Sequence, residues 1–414
     1  MSQSVPESKG NAARHPADRR ANVDVFSAAL YEVLRQVCPG IGELELYEFR
    51  YALHNLTPPD GWASVALEEP GTIEAQVTSS TFYRSLQVKP RRGEGIVLDE
   101  PIEKLSRMLL AGLVTGAYPV EWVRRHFYFD VRGFYFLHRN LYFTPKIVAH
   151  LGGKPFRTFE RRQEHFERLQ SIGYKEFAAA NAELDDCFLA CIRRLIDVKG
   201  TPIILALAGP TAAGKTEIVE WLREALRADG RSVTSIEMDN FLTDRDYREE
   251  KGIHTLGREA IHIRHFTRAL AEIRRGQAIQ TPRYDTVHAV SSHDLQGNLK
   301  PGATPVEVPA GDIVFIEGNF PFLLEEAAPV IGIKVVYLTD DPVRMKRKWR
   351  RDIDYRRKYE PDYFRNRFFK EQFLMAEICY RPQMEVCDMV VDTTGGALWA
   401  TPEIAGMLGV TGAA

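Results

Sequence analysis

Residues 203–216 read Ile-Ile-Leu-Ala-Leu-Ala-Gly-Pro-Thr-Ala-Ala-Gly-Lys-Thr, preceded by the turn-forming Lys199-Gly200-Thr201-Pro202. Six apolar residues bounded by turn residues and followed by a helical pattern describe a parallel strand buried on both faces. The residues after it satisfy G-x-x-x-x-G-K-[ST], from Gly209 to Thr216, ahead of a helix expected to start near Glu217. Glycine lets the backbone wrap closely round an anion with its N–H groups turned inward, and the helix N-terminus adds a favourable dipole. Gly209, Pro210, Thr211, Ala212, Ala213, Gly214, Lys215 and Thr216 are therefore the expected nucleotide-binding residues. In that arrangement Lys215 reaches the outer phosphates and the Thr216 hydroxyl meets a Mg²⁺ ion carried by ATP.

Outward from this stretch, apolar runs at 233–238, 313–317, 334–338 and 389–392 alternate with helical segments. The expected fold class is α/β: a parallel sheet flanked by helices over 199–395, preceded by a separate α+β domain over 22–198. Residues 1–21 and 396–414 read as tails, the first polar and without periodicity.

A phosphate cradle serves motors, switches and transferases alike, so the acceptor side has to discriminate between them. Asp239, in Ile236-Glu-Met-Asp-Asn-Phe241, stands at the end of the second strand, on the carboxyl edge where open α/β sheets bind ligands. A carboxylate there can take the proton of an attacking hydroxyl, which makes Asp239 the candidate base. Glu317 ends the third strand, where an acid would join Thr216 beside the metal. Arg347 and Arg351, with Arg356, Arg357 and Lys358 following, concentrate cation on one helix and its loop, as a lid over transferring phosphate would. Arg245, Arg248, Lys251, His254 and Arg258 crowd the stretch after Asp239. They suit an acceptor bearing phosphate or carboxylate, or else a charged loop balanced by Asp244, Asp246, Glu249 and Glu250.

Together these pieces resemble the uridine kinase and phosphoribulokinase family, over about 200–395. Gly209–Thr216 is similar to its Walker A loop, Asp239-Asn-Phe241 to its D-x-F segment, and Glu317-Gly318 to the acid-glycine pair after the third core strand. Gly276-x5-Pro282-x-Tyr284-Asp285 resembles the stretch that helps form the acceptor pocket. Arg347–Asp352 resembles the lid helix, with Arg356 and Lys358 at its later basic positions, and Cys387-Asp388 to Asp392 resembles the last strand. The resemblance implies that Asp239, Lys215, Arg347 and Arg351 are catalytic and that Arg356 touches the nucleotide. It also implies that Tyr284, Asp285 and His288 face the acceptor. Two departures bear on substrate: Thr286 stands where uridine kinases carry an aromatic, with His288 one place early, and Leu256 stands where they carry the ribose-binding Asp. The kinase chemistry carries over better than the nucleoside specificity.

Before residue 199 the pattern is mixed. Helices are expected over 23–37 and 101–115, a strand through Ile73, Ala75 and Val77, and a helix through 159–198 broken near Gly173. That last helix carries the apolar stripe Leu184, Phe188, Ile192 and Leu195. The segment 127–143, rich in Phe and Tyr, reads as a β-meander turning at Arg132-Gly133 and Arg139-Asn140 whose rings fill a core. The rival reading stacks those rings on nucleic-acid bases and makes the chain a nucleotide-driven switch.

Composition narrows the field further. Over 414 residues, 44% are hydrophobic, 27% are charged and the net charge is −2, which gives no general pull toward nucleic acid or anionic membrane. Five cysteines without C-x-x-C spacing suggest neither a disulfide framework nor a zinc site and fit a reducing cytoplasm, with Cys187 and Cys191 read as packing residues. No apolar stretch is long enough to span a bilayer. The expected partners are ATP and a small-molecule acceptor, with a homo-oligomer left open.

Overall fold

The computed structural model describes residues 16–38, 41, 49, 53, 56–77, 89–91, 95–97, 100–130, 135–138, 142–160, 174–253, 257–339, 351, 375–393 and 395–410. The N-terminal part contains helices α1 (Pro16–Val37) and α2 (Pro70–Val77), the hairpin β1 (Lys89–Arg91) and β2 (Gly95–Val97), and α3 (Glu100–Thr115) and α4 (Val120–His126). A second hairpin follows, β3 (Phe127–Asp130) and β4 (Tyr135–His138), then α5 (Pro145–His150).

Here α2 overturns the expected strand. Ile73 and Val77 are both buried and four residues apart, so they share one helix face, and Pro70 opens the helix where its missing N–H costs nothing. Helix α1 begins inside the stretch expected as a tail. Phe127, Phe129 and Phe136 of the second hairpin, with Tyr142 beyond it, are almost wholly enclosed, so these rings fill a core and cannot stack on bases. The two expected turns at 132–133 and 139–140 lie outside the described residues.

The C-terminal part is a seven-stranded sheet in the order β5-β15-β14-β13-β6-β12-β7. The strands are β5 (Arg157–Thr158), β6 (Ile203–Ala208), β7 (Val233–Glu237), β12 (Ile313–Gly318), β13 (Ile333–Leu338), β14 (Met389–Asp392) and β15 (Ala397–Ala400). The five from β14 to β7 run parallel, whereas β15 and β5 join antiparallel at one edge. Helices α6 (Tyr174–Lys199), α7 (Lys215–Ala228), α8 (Arg245–Glu250) and α9 (Ile263–Ile273) lie along this part of the chain. Between α9 and β12 come short paired strands β8 (Ile279–Thr281) with β11 (Val306–Val308), and β9 (Tyr284–Asp285) with β10 (Val290–Ser291). The turn α10 (Arg381–Met384) precedes β14, and α11 (Pro402–Leu408) follows β15.

Strand β6 is buried at every residue, and its period of two divides it between two cores. Ile203, Leu205 and Leu207 face the core built with α6 and α7, where the stripe Leu184, Phe188, Ile192 and Leu195 packs. Ile204, Ala206 and Ala208 face the opposite core, which is continuous with that of the N-terminal part.

The stretch from 396 is therefore no tail. Residues 397–400 pair with β14, and Thr401 caps α11 by accepting from the Ile404 N–H. Gly395 and Gly396, the latter at a φ of 63°, turn the chain back onto the sheet. Residues before 199 also belong to this sheet. Phe156 donates to the Leu398 carbonyl at 2.9 Å and Phe159 to that of Gly396 at 2.7 Å. His150 Nε2 meets the Cys387 carbonyl at 2.8 Å, Lys146 reaches Glu385 at 2.5 Å, and Phe143 stacks on Trp399 at 4.9 Å. Cys191 is buried and Cys187 half-buried on α6, as packing residues are. Among the described residues no helix is long and apolar enough to cross a membrane.

Candidate active site

Three neighbouring parallel strands bring the site together. In register, Gly318 lies beside Ala208 and Glu317 beside Glu237, so the glycine loop after β6 and the Met238–Phe241 turn after β7 flank the end of β12. With strands about 4.8 Å apart, the two loops start about 10 Å from one another at the same carboxyl edge. Gly318 makes this closeness possible, since a Cβ there would lie 2.6 Å from Met238 Cβ.

The loop has the shape that its glycines anticipate. Gly209, Ala212 and Gly214 all take positive φ, of 155°, 64° and 101°, and Gly214 opens α7. Lys215 folds back over the loop: Nζ donates to the Gly209 and Pro210 carbonyls at 3.0 Å each and to Asn319 Oδ1 at 3.3 Å. Close packing pushes its pKa down, Glu317 and Asp239 hold it up, and Arg351 depresses it further. Lys215, Asp239, Glu317 and Arg351 therefore share one electrostatic neighbourhood. Arg351 is half-buried and helical, while Arg347, Arg356, Arg357 and Lys358 lie outside the described residues, as does His254.

Thr216 Oγ1 donates to both oxygens of Glu317, at 2.8 and 3.0 Å. Burial pushes the Glu317 carboxyl up to about 7; Lys215 and Thr216 oppose the shift, and Glu237 and Asp239 add to it. A carboxyl whose folded pKa exceeds its unfolded value holds its proton more tightly when folded, so its contribution to stability falls as pH rises from about 4.5 to 7. Glu317→Gln should therefore gain on the wild type by roughly 2 kcal/mol between pH 5 and pH 8, read as the difference in denaturant unfolding at the two pH values.

Directly after β7, Asp239 is exposed in its turn, and Glu237 beside it is held above the usual carboxylate range by burial, then by Asp239 and Glu220. Asn240 Oδ1 accepts from the Tyr284 N–H at 3.2 Å, which ties β9 to the turn. Arg248 lies over the Tyr284 ring and donates to its hydroxyl at 2.7 Å. Its Nε is buried with no hydrogen-bond partner among the described residues. The neighbouring cations are engaged elsewhere: Arg258 pairs with Glu326 and Lys251 with Glu250, while Lys300 occupies Asp244. Arg245 holds its place through its backbone N–H on Ala289.

The side chains of Asp285 and His288, expected to face the acceptor, bond each other at 2.6 Å in an exposed turn, where Asp285 also accepts from the Val287 and His288 N–H groups. His288 and those N–H groups hold the Asp285 carboxyl below its usual range. This is the local self-satisfaction that favours Asp in turns.

Asn319, Gln383 and His262 were not anticipated from the sequence. His262 bonds Ser291 Oγ at 3.0 Å and donates its backbone N–H to Phe241. Burial drives its pKa down to about 4, with His265 and His293 adding and Asp244 opposing, and burial takes His138 in the N-terminal part to a similar value. An unfolded chain takes up these protons first as pH falls through 6.5, so stability present above pH 6.5 is lost toward pH 4. Each histidine should cost about 1–2 kcal/mol between pH 7 and pH 5. His262→Gln should flatten that slope in denaturant unfolding, and an unchanged slope would show that this imidazole is not held neutral.

Several known proteins share this arrangement in sequence. The family model for the phosphoribulokinase/uridine kinase family matches residues 204–398. The uridine kinase of Brevibacillus brevis is 31% identical over 161 residues, which cover 38% of this chain and 69% of that protein. The uridine kinase of Leuconostoc citreum is 25% identical over 158 residues, covering 37% of this chain and 70% of its own length. Among solved structures, the phosphoribulokinase of Rhodobacter spheroides aligns over 46% of this chain and 70% of its own, at 17% identity and a TM-score of 0.33. With the glycine loop, the strand-end acids and a relative matched over more than two-thirds of its length, the chain belongs to the phosphoribulokinase/uridine kinase family of P-loop kinases.

Proposed function

We propose that this chain transfers the γ-phosphoryl group of ATP to a hydroxyl of a small molecule, either a nucleoside such as uridine or cytidine or a sugar or sugar phosphate. The observation that carries the reading is the placement of Asp239. Its carboxylate stands one strand from Glu317 and within the electrostatic reach of Lys215, on the edge where the glycine loop opens. In this reading residues 209–216 bind the triphosphate and Asp239 takes the acceptor's proton. Lys215 with Arg351 and Arg347 stabilises charge on the moving phosphoryl group, and Arg356 touches the nucleotide.

The Thr216 hydroxyl and the Glu317 carboxylate are hard oxygen donors that suit Mg²⁺. Among the described residues no group of three or more His, Cys, Asp or Glu gathers to hold an ion, so the metal would arrive with the nucleotide phosphates. When bound, Mg²⁺ neutralises phosphate charge. The half-buried Arg248, with Tyr284 beneath it and no carboxylate paired to it among the described residues, supports an acceptor pocket lined by these two residues with Arg245 nearby.

The test is ADP release by purified protein with Mg·ATP across nucleosides, sugars, sugar phosphates and small hydroxy acids. Release that depends on one acceptor class is expected. Nucleotide turnover coupled instead to RNA or DNA, with no small-molecule acceptor, would overturn the reading.

A further inference from the structure

The Lys215 ammonium has three N–H donors, and the structure gives each a neutral oxygen. Two belong to the loop itself, the carbonyls of Gly209 and Pro210; the third, Asn319 Oδ1, comes from the end of β12. Asn319 is only 4% exposed, and facing an ammonium it can present only its oxygen. The acid two residues before it, Glu317, spends both oxygens on Thr216. Among the described residues the cation is thus held by dipoles without a carboxylate in contact, so its charge stays available to a phosphate.

Behind Asn319 stands Gln383, wholly buried and 64 residues away in the chain. Its Nε2 donates to the Asn319 carbonyl at 2.7 Å and to the Cys379 carbonyl at 3.1 Å, and its Oε1 accepts from the Phe322 N–H at 3.2 Å. Both ends of this amide are used to pin the backbone at 319 and 322 against the helical residues 379–384. A buried amide so fully satisfied fixes its neighbours in one arrangement.

We propose that Asn319 is a positioning residue for Lys215, held in place by Gln383, and that its neutrality sets the affinity for the β- and γ-phosphates. The inference rests on reading 209–216 as a triphosphate cradle. An aspartate at position 319 would pair with the ammonium at close range and compete with the nucleotide for it.

The experiment is equilibrium titration with Mg·ATP and, separately, with AMP, which lacks the two outer phosphates. It uses the wild-type protein, N319D, N319A, K215A and the K215A/N319D double variant. N319D is expected to weaken Mg·ATP binding about tenfold and AMP binding less than about twofold, with no fall in the nucleotide-free melting temperature. N319A should weaken Mg·ATP binding by about threefold, and the effect of N319D should nearly vanish in the K215A background. Should N319D fail to fold, N319A decides by the same ratio of ATP to AMP losses. Gln383→Glu, which sets an acceptor against the Asn319 carbonyl, should reproduce the ATP-selective loss. Wild-type ATP affinity in both Asn319 variants alongside a weakened K215A overturns the proposal and leaves the cradle standing. Equal losses for ATP and AMP, or an undiminished N319D effect in K215A, also overturn it. Wild-type Mg·ATP binding by K215A would bring down the cradle reading itself.

Discussion

Asp239→Asn is expected to lower kcat/KM for phosphoryl transfer about 10³-fold while leaving the affinity for Mg·ATP within about twofold, because a positioned general base contributes 10²–10⁴ and does not hold the nucleotide. The substitution is nearly isosteric and falls at an exposed position whose structural task is done by its backbone: the Asp239 carbonyl accepts from the Leu242 N–H. Its fold should therefore survive, which separates loss of proton acceptance from loss of structure. One electrostatic side effect has a known sign. Asp239 raises the Glu237 and Glu317 carboxyls and supports the Lys215 ammonium, so removing its charge should lower the first two and weaken that support. Single-turnover rates with the identified acceptor, together with nucleotide titration, check both parts. Full turnover in the variant would remove Asp239 from the chemistry.

Gly209→Ala should abolish measurable Mg·ATP binding and lower the melting temperature by several degrees. A Cβ at residue 209 would sit 2.2 Å from the Tyr337 carbonyl oxygen, which belongs to the backbone of the central strand β13. The φ of 155° adds strain for any residue with a side chain, on the order of 1–3 kcal/mol. Neither loop nor strand can yield cheaply: β13 pairs with β6 from Ile333 to Val336, and the Gly209 carbonyl holds Lys215. Relief would have to come from moving the loop, which carries the ammonium with it. Thermal melting with and without Mg·ATP measures both losses, and retained stabilisation by the nucleotide would show that the loop tolerates the methyl group.

The strongly patterned stretches are legible in the sequence itself. The all-apolar 203–208, short and bounded by turn residues, reads as a strand buried on both faces, and G-x-x-x-x-G-K-T after it needs the positive φ that Gly209 and Gly214 adopt. The strand runs at 233–237, 313–318, 333–338 and 389–392 could be read from composition because parallel strands carry their signal locally. Residues 73–77 misled because apolar residues at 73, 75 and 77 satisfy alternation, whereas helical spacing places 73 and 77 together. Tertiary packing chose the latter. At 397–400 the strand was hidden behind two glycines and is stabilised by pairing with β14 and by Phe156 and Phe159 from far earlier in the chain.

Within the site the same division holds. Lys215, Thr216, Asp239 and Glu317 announce themselves because their chemistry requires a particular residue type at a particular strand end. Asn319 and Gln383 carry no such mark: an amide is ordinary in any loop, and their contact closes over 64 residues. Asp285 and His288 bond each other within an exposed turn, a pairing that their spacing did not announce.

The sequence alone determined that a parallel sheet would offer a phosphate cradle at one strand end and acids at the ends of two others, because strand burial and loop conformation are local properties of the chain. Only the tertiary structure decided which strands lie side by side, what holds the cradle's lysine, and how the N-terminal residues join the sheet's edge. Those are contacts between residues remote in sequence, and no local pattern encodes them.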